Sequence, residues 1–202
     1  MKLIYGAGGH GRVLLDTLRT LGQPPDGFID DGDVPPVIDG IPVFTERILD
    51  ERTDLIVYHG VGYIGVRRML AAKLKAKGIV SPTVIHPTAW VSPSATIGPG
   101  TVIYAGVVVN TGAVVGEGVI LNTGCVVEHD VQLGDWCHIS PNATLGGAAQ
   151  LGEAVWAGMG STVLPLITIG PETILGANAV ATRHLPGHSV AVGIPAKVIK
   201  AR

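Results

Sequence analysis

The chain has 202 residues, of which 29 are glycine, about twice the share found in an average protein. Its 47% hydrophobic residues and formal net charge of -2 exclude intrinsic disorder, and an aromatic content of only 4% excludes a large core of aromatic rings. A sequence pI near 6.4 without a basic run gives no electrostatic footprint for nucleic acid, so no nucleic-acid partner is expected.

The mean hydropathy of +0.42 raises the question of a membrane segment. Residues 101–120 are mostly apolar and have the length of a spanning helix, but evenly spaced glycine and asparagine residues and Glu117 argue against one. The apolar start of the chain breaks into glycines after five residues, which is not the pattern of a signal peptide. The only cysteines, Cys125 and Cys137, are too few for a disulfide framework. We therefore predict a cytoplasmic protein without a membrane partner.

Residues 1–84 predict a small α/β domain of the Rossmann-like βαβ type. The predicted elements are a strand in KLIYG, a helix over Arg12–Leu21, a strand in GFIDD, a strand over Asp54–Tyr58, and a helix from about Ile64 to Lys77. The first helix places its leucines on one side, as expected for a helix that packs on a sheet.

A glycine-rich turn, Gly6–Gly11, follows the first strand and fits the pattern G-x-G-x-x-G. The acids Asp30 and Asp31 follow about 20 residues later, as in a dinucleotide site. However, 84 residues supply only about half of a dinucleotide domain. Glycines at a helix N-terminus still allow a pyrophosphate to approach, and the acids can accept hydrogen bonds from ribose or base donors. The pattern favours nucleotide-sugar binding, with NAD binding or a purely structural turn as alternatives.

From residue 85 to residue 180 the sequence divides into 16 hexads without a break in phase. The first residue of each is Ile, Leu or Val, except at Ala157, the fifth is never large or charged, and the second is glycine in eight. The fifth residue of one hexad and the first of the next lie on one face of a strand, because they are two positions apart. We expect the chain to turn at the second and third positions, where Gly, Asn and Asp tolerate the conformations of a corner.

Short strands joined by regular corners predict a solenoid. The pattern resembles the left-handed parallel β-helix of hexapeptide-repeat acyltransferases, in which three hexads make one coil of about 18 residues with coils about 4.8 Å apart. The predicted domains are therefore residues 1–84, a β-helix over residues 85–180, and a C-terminal tail over residues 181–202.

The coil length converts sequence spacing into geometry. His129 lies at a corner, and Gly147 follows 18 residues later, one coil above it. A base close to a backbone N–H suits acyl transfer, because the base takes a proton while the N–H stabilises the oxyanion. Asp130 is placed to orient the imidazole and favour its charged form. The alternative is a solvated corner histidine.

His138 is the sixth residue of its hexad and is expected to point outward, half a perimeter from His129. Both histidines can serve one site only if neighbouring chains bring different sides together, which predicts a homotrimer with sites between subunits. A zinc site is not expected, since His86 is several coils away and no third ligand converges with this pair. Cys125 and Cys137 occupy inward fifth positions and are interpreted as core residues rather than as acyl carriers.

With these features placed, nearly the whole chain resembles the nucleotide-sugar aminosugar N-acetyltransferases of bacterial glycan synthesis, and it is similar to the sialic-acid O-acetyltransferases of the same group. The motifs that carry the resemblance are IYGAGGHGRV, FIDD, ILNTGCVVEHDVQLGDWCHISPNATLGG and VAVGIPAKVIK.

The resemblance implies a role for each matching residue. His129 is the general base, Gly147 the oxyanion donor and Asn122 a contact of the sugar, while Asp130 stands where the family often has glutamate. The residues implied in acetyl-CoA binding are His138, Met159, Ala177, Gly193, Pro195 and Lys197, and those implied in nucleotide binding are Gly8, Gly9, His10, Asp30, Asp31 and Gly60.

The implied reaction is direct acetyl transfer from acetyl-CoA to the amine of a nucleotide-linked amino sugar, such as a 4-amino-4,6-dideoxy sugar, without a metal. Two alternatives stay open: O-acetylation of a sugar such as a sialic acid, and a non-catalytic nucleotide-sugar-binding protein. The sequence does not specify the nucleotide base, the sugar or the acetylated position.

Overall fold

The structure consists of two units with different sequence patterns. A computed structural model describes every residue, Met1–Arg202, and divides into Met1–His86 and Pro87–Arg202. No helix in either unit combines the length and the hydropathy needed to cross a bilayer.

The first unit is built on a five-stranded sheet with the order β3-β4-β2-β1-β5, in which only the β3–β4 pair is antiparallel. Leu3 and Ile29 from the sheet form a core with Leu70 and Leu74 of helix α3. The elements are β1 (Lys2–Tyr5), α1 (Gly9–Thr20), β2 (Gly27–Ile29), β3 (Val37–Ile38), β4 (Ile41–Phe44), α2 (Ile48–Glu51), β5 (Ile56–His59), α3 (Ile64–Ala76) and β6 (Val84–Ile85). The expected small α/β domain is confirmed.

Two details of this unit differ from the sequence prediction. Helix α1 begins at Gly9 rather than Arg12, because the glycine-rich segment itself forms its first turn. The short β3–β4 hairpin and helix α2 were not predicted. The hairpin turns at Asp39 and Gly40, both with positive φ, which is the turn chemistry of an Asp-Gly pair.

The second unit is a parallel β-helix, as expected, with three faces of parallel strands. The first face holds β7, β10, β13, β16, β19 and β22, the second β8, β11, β14, β17 and β20, and the third β9, β12, β15, β18, β21, β23 and β24. The strands are β7 (Trp90–Val91), β8 (Thr96–Ile97), β9 (Val102–Ile103), β10 (Val108–Val109), β11 (Val114–Val115), β12 (Ile120–Leu121), β13 (Val126–Val127), β14 (Gln132–Leu133), β15 (His138–Ile139), β16 (Thr144–Leu145), β17 (Gln150–Leu151), β18 (Trp156–Ala157), β19 (Thr162–Val163), β20 (Thr168–Ile169), β21 (Ile174–Leu175), β22 (Val180–Ala181), β23 (Ser189–Val192) and β24 (Lys197–Ala201).

The register between coils is 18 residues, as the pairing of Val109 with Val127 and of Val127 with Leu145 shows. First and fifth hexad residues fill the interior, which is therefore thin and aliphatic. Cys125 and Cys137 are buried free thiols in this core, and burial raises the pKa of Cys125 to about 12. This environment keeps the Cys125 thiol protonated and unreactive.

The expected position of the corners was wrong by one residue. Positive φ recurs at the fourth hexad position, every sixth residue from Gly100 to Asn178, rather than at the second or third. The second-position glycines have a different cause, which is the close approach of the next coil. A Cβ on Gly98 would lie 2.4 Å from the carbonyl carbon of Gly116, and one on Gly134 would lie 2.6 Å from the nitrogen of Glu153.

The last residues continue the solenoid. Strand β23 pairs in parallel with β21, and β24 returns antiparallel to β23. The Gly193 carbonyl accepts a hydrogen bond from the Val180 N–H, and the Ala196 N–H donates to the Val180 carbonyl. The tail is thereby tied to the final coil.

Candidate active site

His129 lies at the corner between the first and second faces, after β13 and before β14. Its Nδ1 is 2.9 Å from Oδ2 of Asp130. An ionised carboxylate only accepts hydrogen bonds, so Nδ1 carries a proton and the lone pair of the neutral ring is on Nε2. Asp130 has a φ of 59°, a left-handed conformation that Asp tolerates and that turns the carboxylate back to the neighbouring ring.

Gly147 lies directly above His129, as the 18-residue spacing predicted. The N–H of the next residue, Ala148, donates to the His129 carbonyl at 2.8 Å. A Cβ on Gly147 would lie only 2.5 Å from Nε2 of His129, so glycine is what leaves room beside this atom. The Gly147 carbonyl accepts from Leu166, whereas its N–H donates to no backbone carbonyl. A base lone pair and an available N–H therefore face the same small space.

The His129–Asp130 pair is open to solvent in the single chain, with side-chain exposures of 57% and 65%. Exposed ion pairs contribute only about 0–1 kcal/mol, because water screens the charges and competes for the hydrogen bonds. The pair gains strength only when a substrate or another surface covers it.

His138 occupies a different part of the solenoid, on β15 in the third face. Its neighbour Ile139 lies in the core, so the imidazole points away from the core, as expected from its hexad position. It is nevertheless only 9% exposed. Trp156, one coil above, stacks on it with a centroid distance of 5.8 Å and an interplanar angle of 7°, and Nδ2 of Asn122 is 3.3 Å from its Nε2.

Asn122 therefore contacts His138 in this chain and lies at the corner between the third and first faces, away from the His129 corner. The indole of Trp156 donates from Nε1 to Oγ of Ser140 at 2.9 Å. The sequence analysis overlooked Trp156 and Ser140. The 18-residue spacing from His138 to Trp156 was a usable signal for Trp156.

A mostly apolar groove lies next to the His138 cluster. It is lined by Ser140, Trp156, Gly158, Met159, Ile174, Leu175, Gly176 and Ala177. Met159 and Ala177 are stacked as predicted, since the Met159 carbonyl accepts from the N–H of Asn178, the residue after Ala177. Lys197 begins the exposed strand β24 and follows Gly193 and Pro195 in the tail.

In the first unit, the glycine-rich segment forms the junction between β1 and α1. A Cβ on Gly11 would lie 1.9 Å from the Gly6 carbonyl oxygen, so the close approach of helix and strand requires glycine. Gly60 is similarly confined, with its N–H donating to the Tyr5 carbonyl. By contrast, a Cβ on Gly8 or Gly9 would meet nothing within 4 Å. Open space at the helix N-terminus is what an approaching phosphate needs.

Asp30 and Asp31 already organise the backbone around this junction. Asp30 accepts from the Ala7 N–H at 2.8 Å through Oδ2 and from the Gly32 N–H at 2.9 Å through Oδ1. Asp31 accepts from the Glu46 N–H at 2.9 Å. Since a carboxylate has about four acceptor positions, both acids retain acceptor capacity for a ligand.

His10 shares a cationic environment with two residues that the sequence analysis did not single out. Burial, and then the positive charge of Arg67, lower the pKa of both His10 and His59 to about 4. Arg67 is 1% exposed and donates from Nη1 to the Gly62 carbonyl at 2.9 Å. In the sequence, Arg67 looks like a surface residue of a basic helix, and only the packing of α3 reveals its burial.

Comparisons with known proteins agree with this architecture. Residues 3–74 match the model of the PglD N-terminal domain, and residues 112–147 match that of the bacterial transferase hexapeptide (six repeats). The two domain models together define an acyltransferase class with a separate front domain.

Two solved structures cover almost the whole chain. The acetyltransferase domain of PglB from Neisseria gonorrhoeae FA1090 is 36% identical, with 98% of each chain covered and a TM-score of 0.93, and it has also been solved with acetyl coenzyme A. A mutant of perosamine N-acetyltransferase from Caulobacter crescentus, in complex with CoA and GDP-perosamine, is 36% identical, with 98% of this chain and 96% of that chain covered and a TM-score of 0.93.

Matches to curated relatives are shorter. A putative acetyltransferase of Schizosaccharomyces pombe is 52% identical over 46 residues, so the match spans 23% of this chain and 22% of that relative. Identity above 30% across nearly the full length of the solved structures nevertheless shows the family. The chain belongs to the PglD-type hexapeptide-repeat sugar N-acetyltransferases, which confirms the resemblance seen in the sequence.

Proposed function

We propose that this chain transfers the acetyl group of acetyl-CoA to the amine of a nucleotide-linked amino sugar, such as a 4-amino-4,6-dideoxy sugar, in bacterial surface-glycan or glycoprotein synthesis. The observation that carries the proposal is the His129 corner, where Nε2 presents its lone pair to the space that Gly147 leaves open. The PglB domain and the perosamine enzyme, solved with acetyl-CoA or with CoA and a GDP-linked sugar, support the choice of both substrates. The reaction is assigned to the cytoplasm.

The roles follow from the hydrogen bonds. The amine nitrogen attacks the thioester carbonyl carbon, forming the C–N bond, while Nε2 of His129 takes the amine proton. The Gly147 N–H donates to the oxyanion of the tetrahedral intermediate. The C–S bond then breaks and CoA leaves as the thiolate, which regains a proton from His129. Asp130 holds the imidazole through Nδ1 and stabilises its charged form.

The other residues supply binding. Gly8, Gly9, His10, Asp30, Asp31 and Gly60 hold the nucleotide in the first unit. The groove with Met159 and Ala177 takes the pantetheine arm, with His138 near the thioester and the tail residues Gly193, Pro195 and Lys197 beside CoA. The apolar lining of the groove suits the uncharged pantetheine chain.

The site is assigned to the interface of a homotrimer. His129 lies between the first and second faces and His138 on the third face, so one chain does not present both residues to one ligand. A neighbouring copy that presents its third face to the His129 corner completes the site and covers the exposed His129–Asp130 pair.

The test is acetyl-CoA consumption across a panel of nucleotide-linked 4-amino sugars, each paired with its 4-hydroxy counterpart. We expect acetylation of an amino sugar, with the product identified by mass spectrometry. His129→Ala should lower the rate by about 10²–10⁴-fold, the usual contribution of a general base. His188→Ala, which removes another exposed solenoid histidine, is the matched control.

Three results would contradict the proposal. A loss below about tenfold in His129→Ala removes this residue from the role of general base. Turnover of only the hydroxy sugars shows an O-acetyltransferase. Nucleotide-sugar binding without any acetyl-CoA turnover shows a non-catalytic binding protein.

A further inference from the structure

The side-chain amide of Asn122 is held in one orientation. Its Oδ1 accepts a hydrogen bond from the Thr123 N–H at 2.9 Å. A backbone N–H can only donate, so the atom that faces it must be the carbonyl oxygen of the amide rather than the nitrogen. The amide nitrogen, Nδ2, is then the atom that lies 3.3 Å from Nε2 of His138.

This orientation decides where the imidazole of His138 carries its proton. Nδ2 of an asparagine is a donor only, so Nε2 of His138 must accept, and the neutral ring then has its proton on Nδ1. The Nε2 lone pair, which His129 keeps available at its own corner, is already engaged in His138. His138 is therefore unsuited to act as a second base through Nε2.

The plane of the ring is fixed as well. The indole of Trp156 lies parallel to it, and the Nε1–Ser140 hydrogen bond holds the indole in place. The directions of the Nδ1–H and the Nε2 lone pair are thereby set before any substrate binds. Preorganised donors are effective in catalysis because they need no reorientation during the reaction.

We propose that Asn122 is a positioning residue that keeps His138 as a neutral Nδ1–H donor directed at the acetyl donor. This rests on the proposed function, because it assumes that acetyl-CoA binds at the His138 cluster. It differs from the role that resemblance implies for Asn122, which is a contact of the sugar.

The test combines histidine NMR with steady-state kinetics. In the full-length protein labelled with ¹⁵N-histidine, long-range ¹H–¹⁵N correlations distinguish the two neutral tautomers, and His138→Asn identifies the His138 signals. We expect the Nδ1–H tautomer in the wild type. In Asn122→Asp the carboxylate accepts instead of donating, so Nε2 should become protonated. Ser140→Ala, at the equivalent hexad position one coil above, leaves the Asn122 contact intact and should leave the tautomer unchanged.

In the kinetics, Asn122→Asp should lower turnover by roughly tenfold, which corresponds to one hydrogen bond of about 1.4 kcal/mol. The KM for the nucleotide sugar should stay at its wild-type value. An Nε2–H tautomer in the wild type, or the Nδ1–H tautomer persisting in Asn122→Asp, overturns the proposal. An increase confined to the KM for the nucleotide sugar does so too, since it makes Asn122 a sugar contact. The NMR result does not depend on turnover, so failure of the proposed acetyl transfer is recognised separately.

Discussion

His129 and His138 stand nine residues apart, yet their rings face different partners through Nε2. In His129 this atom faces the space beside Gly147, and in His138 it accepts a hydrogen bond from Asn122. The difference comes from the hexad position of each residue: a third-position side chain stands at a corner, and a sixth-position side chain stands on a face under the next coil. Identical side chains thereby acquire different chemistry.

Gly147→Ala tests the space beside the base. The added Cβ would lie 2.5 Å from Nε2 of His129, so the imidazole must move, while the backbone φ of Gly147 permits any residue. We expect a loss of roughly 10²-fold in kcat/KM, as for other small displacements of a catalytic group, with an unchanged melting temperature. Gly65→Ala, where the nearest atom is 3.9 Å away, is the control. Full activity of Gly147→Ala would show that this space is not used.

At the scale of the elements, each glycine class in the solenoid has its own physical cause. Fourth-position residues turn the corner through a left-handed backbone, which Asn142 and Asn178 adopt as well as glycine. Second-position glycines instead allow neighbouring coils to approach. The sequence predicted the repeat but placed the corner one residue early, because glycine at the second position looks like a turn residue when only the chain itself is considered.

Replacing one glycine of each class separates the two causes. Gly98→Ala places a Cβ 2.4 Å from the backbone of Gly116 and should cost about 1–3 kcal/mol of unfolding free energy. Gly106→Asn should cost far less, since its Cβ meets only Gly124 at 3.8 Å and Asn suits its φ of 69°. Urea unfolding followed by tryptophan fluorescence reports on the solenoid, which contains all three tryptophans. Equal costs would refute the distinction.

The first unit should lose stability in mild acid. Between pH 6.5 and about 4, His10 and His59 bind protons in the unfolded chain but not in the folded one, because their pKa values are lowered from 6.5 to about 4 by burial and by Arg67. Stability is therefore complete above pH 6.5 and decreases toward pH 4, by at most about 1.4 kcal/mol per pH unit for each histidine.

Denaturation followed by helical circular dichroism checks this expectation, since α1, α2 and α3 all lie in the first unit. The variant His59→Gln should give a flatter pH dependence than the wild type. A wild-type stability that is constant from pH 7 to pH 4.5 would contradict it.

At the scale of the whole molecule, the separation of the two histidines is the feature that requires another copy. A rotationally closed trimer uses the same pair of surfaces at each interface, so every interface receives one His129 corner and one third face. The expectation of a homotrimer therefore has a direct functional consequence, which is that subunits with different defects can complement one another.

Co-expression of His129→Ala and His138→Ala chains tests this. Each variant alone should be inactive, but in mixed trimers about a quarter of the interfaces combine an intact His129 with an intact His138. We expect activity to return to about that fraction of wild type. Mixed trimers that remain inactive, or a fully active monomer in equilibrium sedimentation, would overturn the intersubunit site.

The sequence by itself determined the solenoid, the glycine-rich turn and the pairing of His129 with Gly147. These features depend on local periodicity, and a constant 18-residue coil turns spacing along the chain into distance in space. Only the tertiary structure decided that Asn122 meets His138, that Trp156 covers this ring, and that Arg67 is buried within reach of His10 and His59. Such contacts depend on side-chain orientation and on the packing of helix against sheet, because residue type alone does not specify which partner a polar group meets.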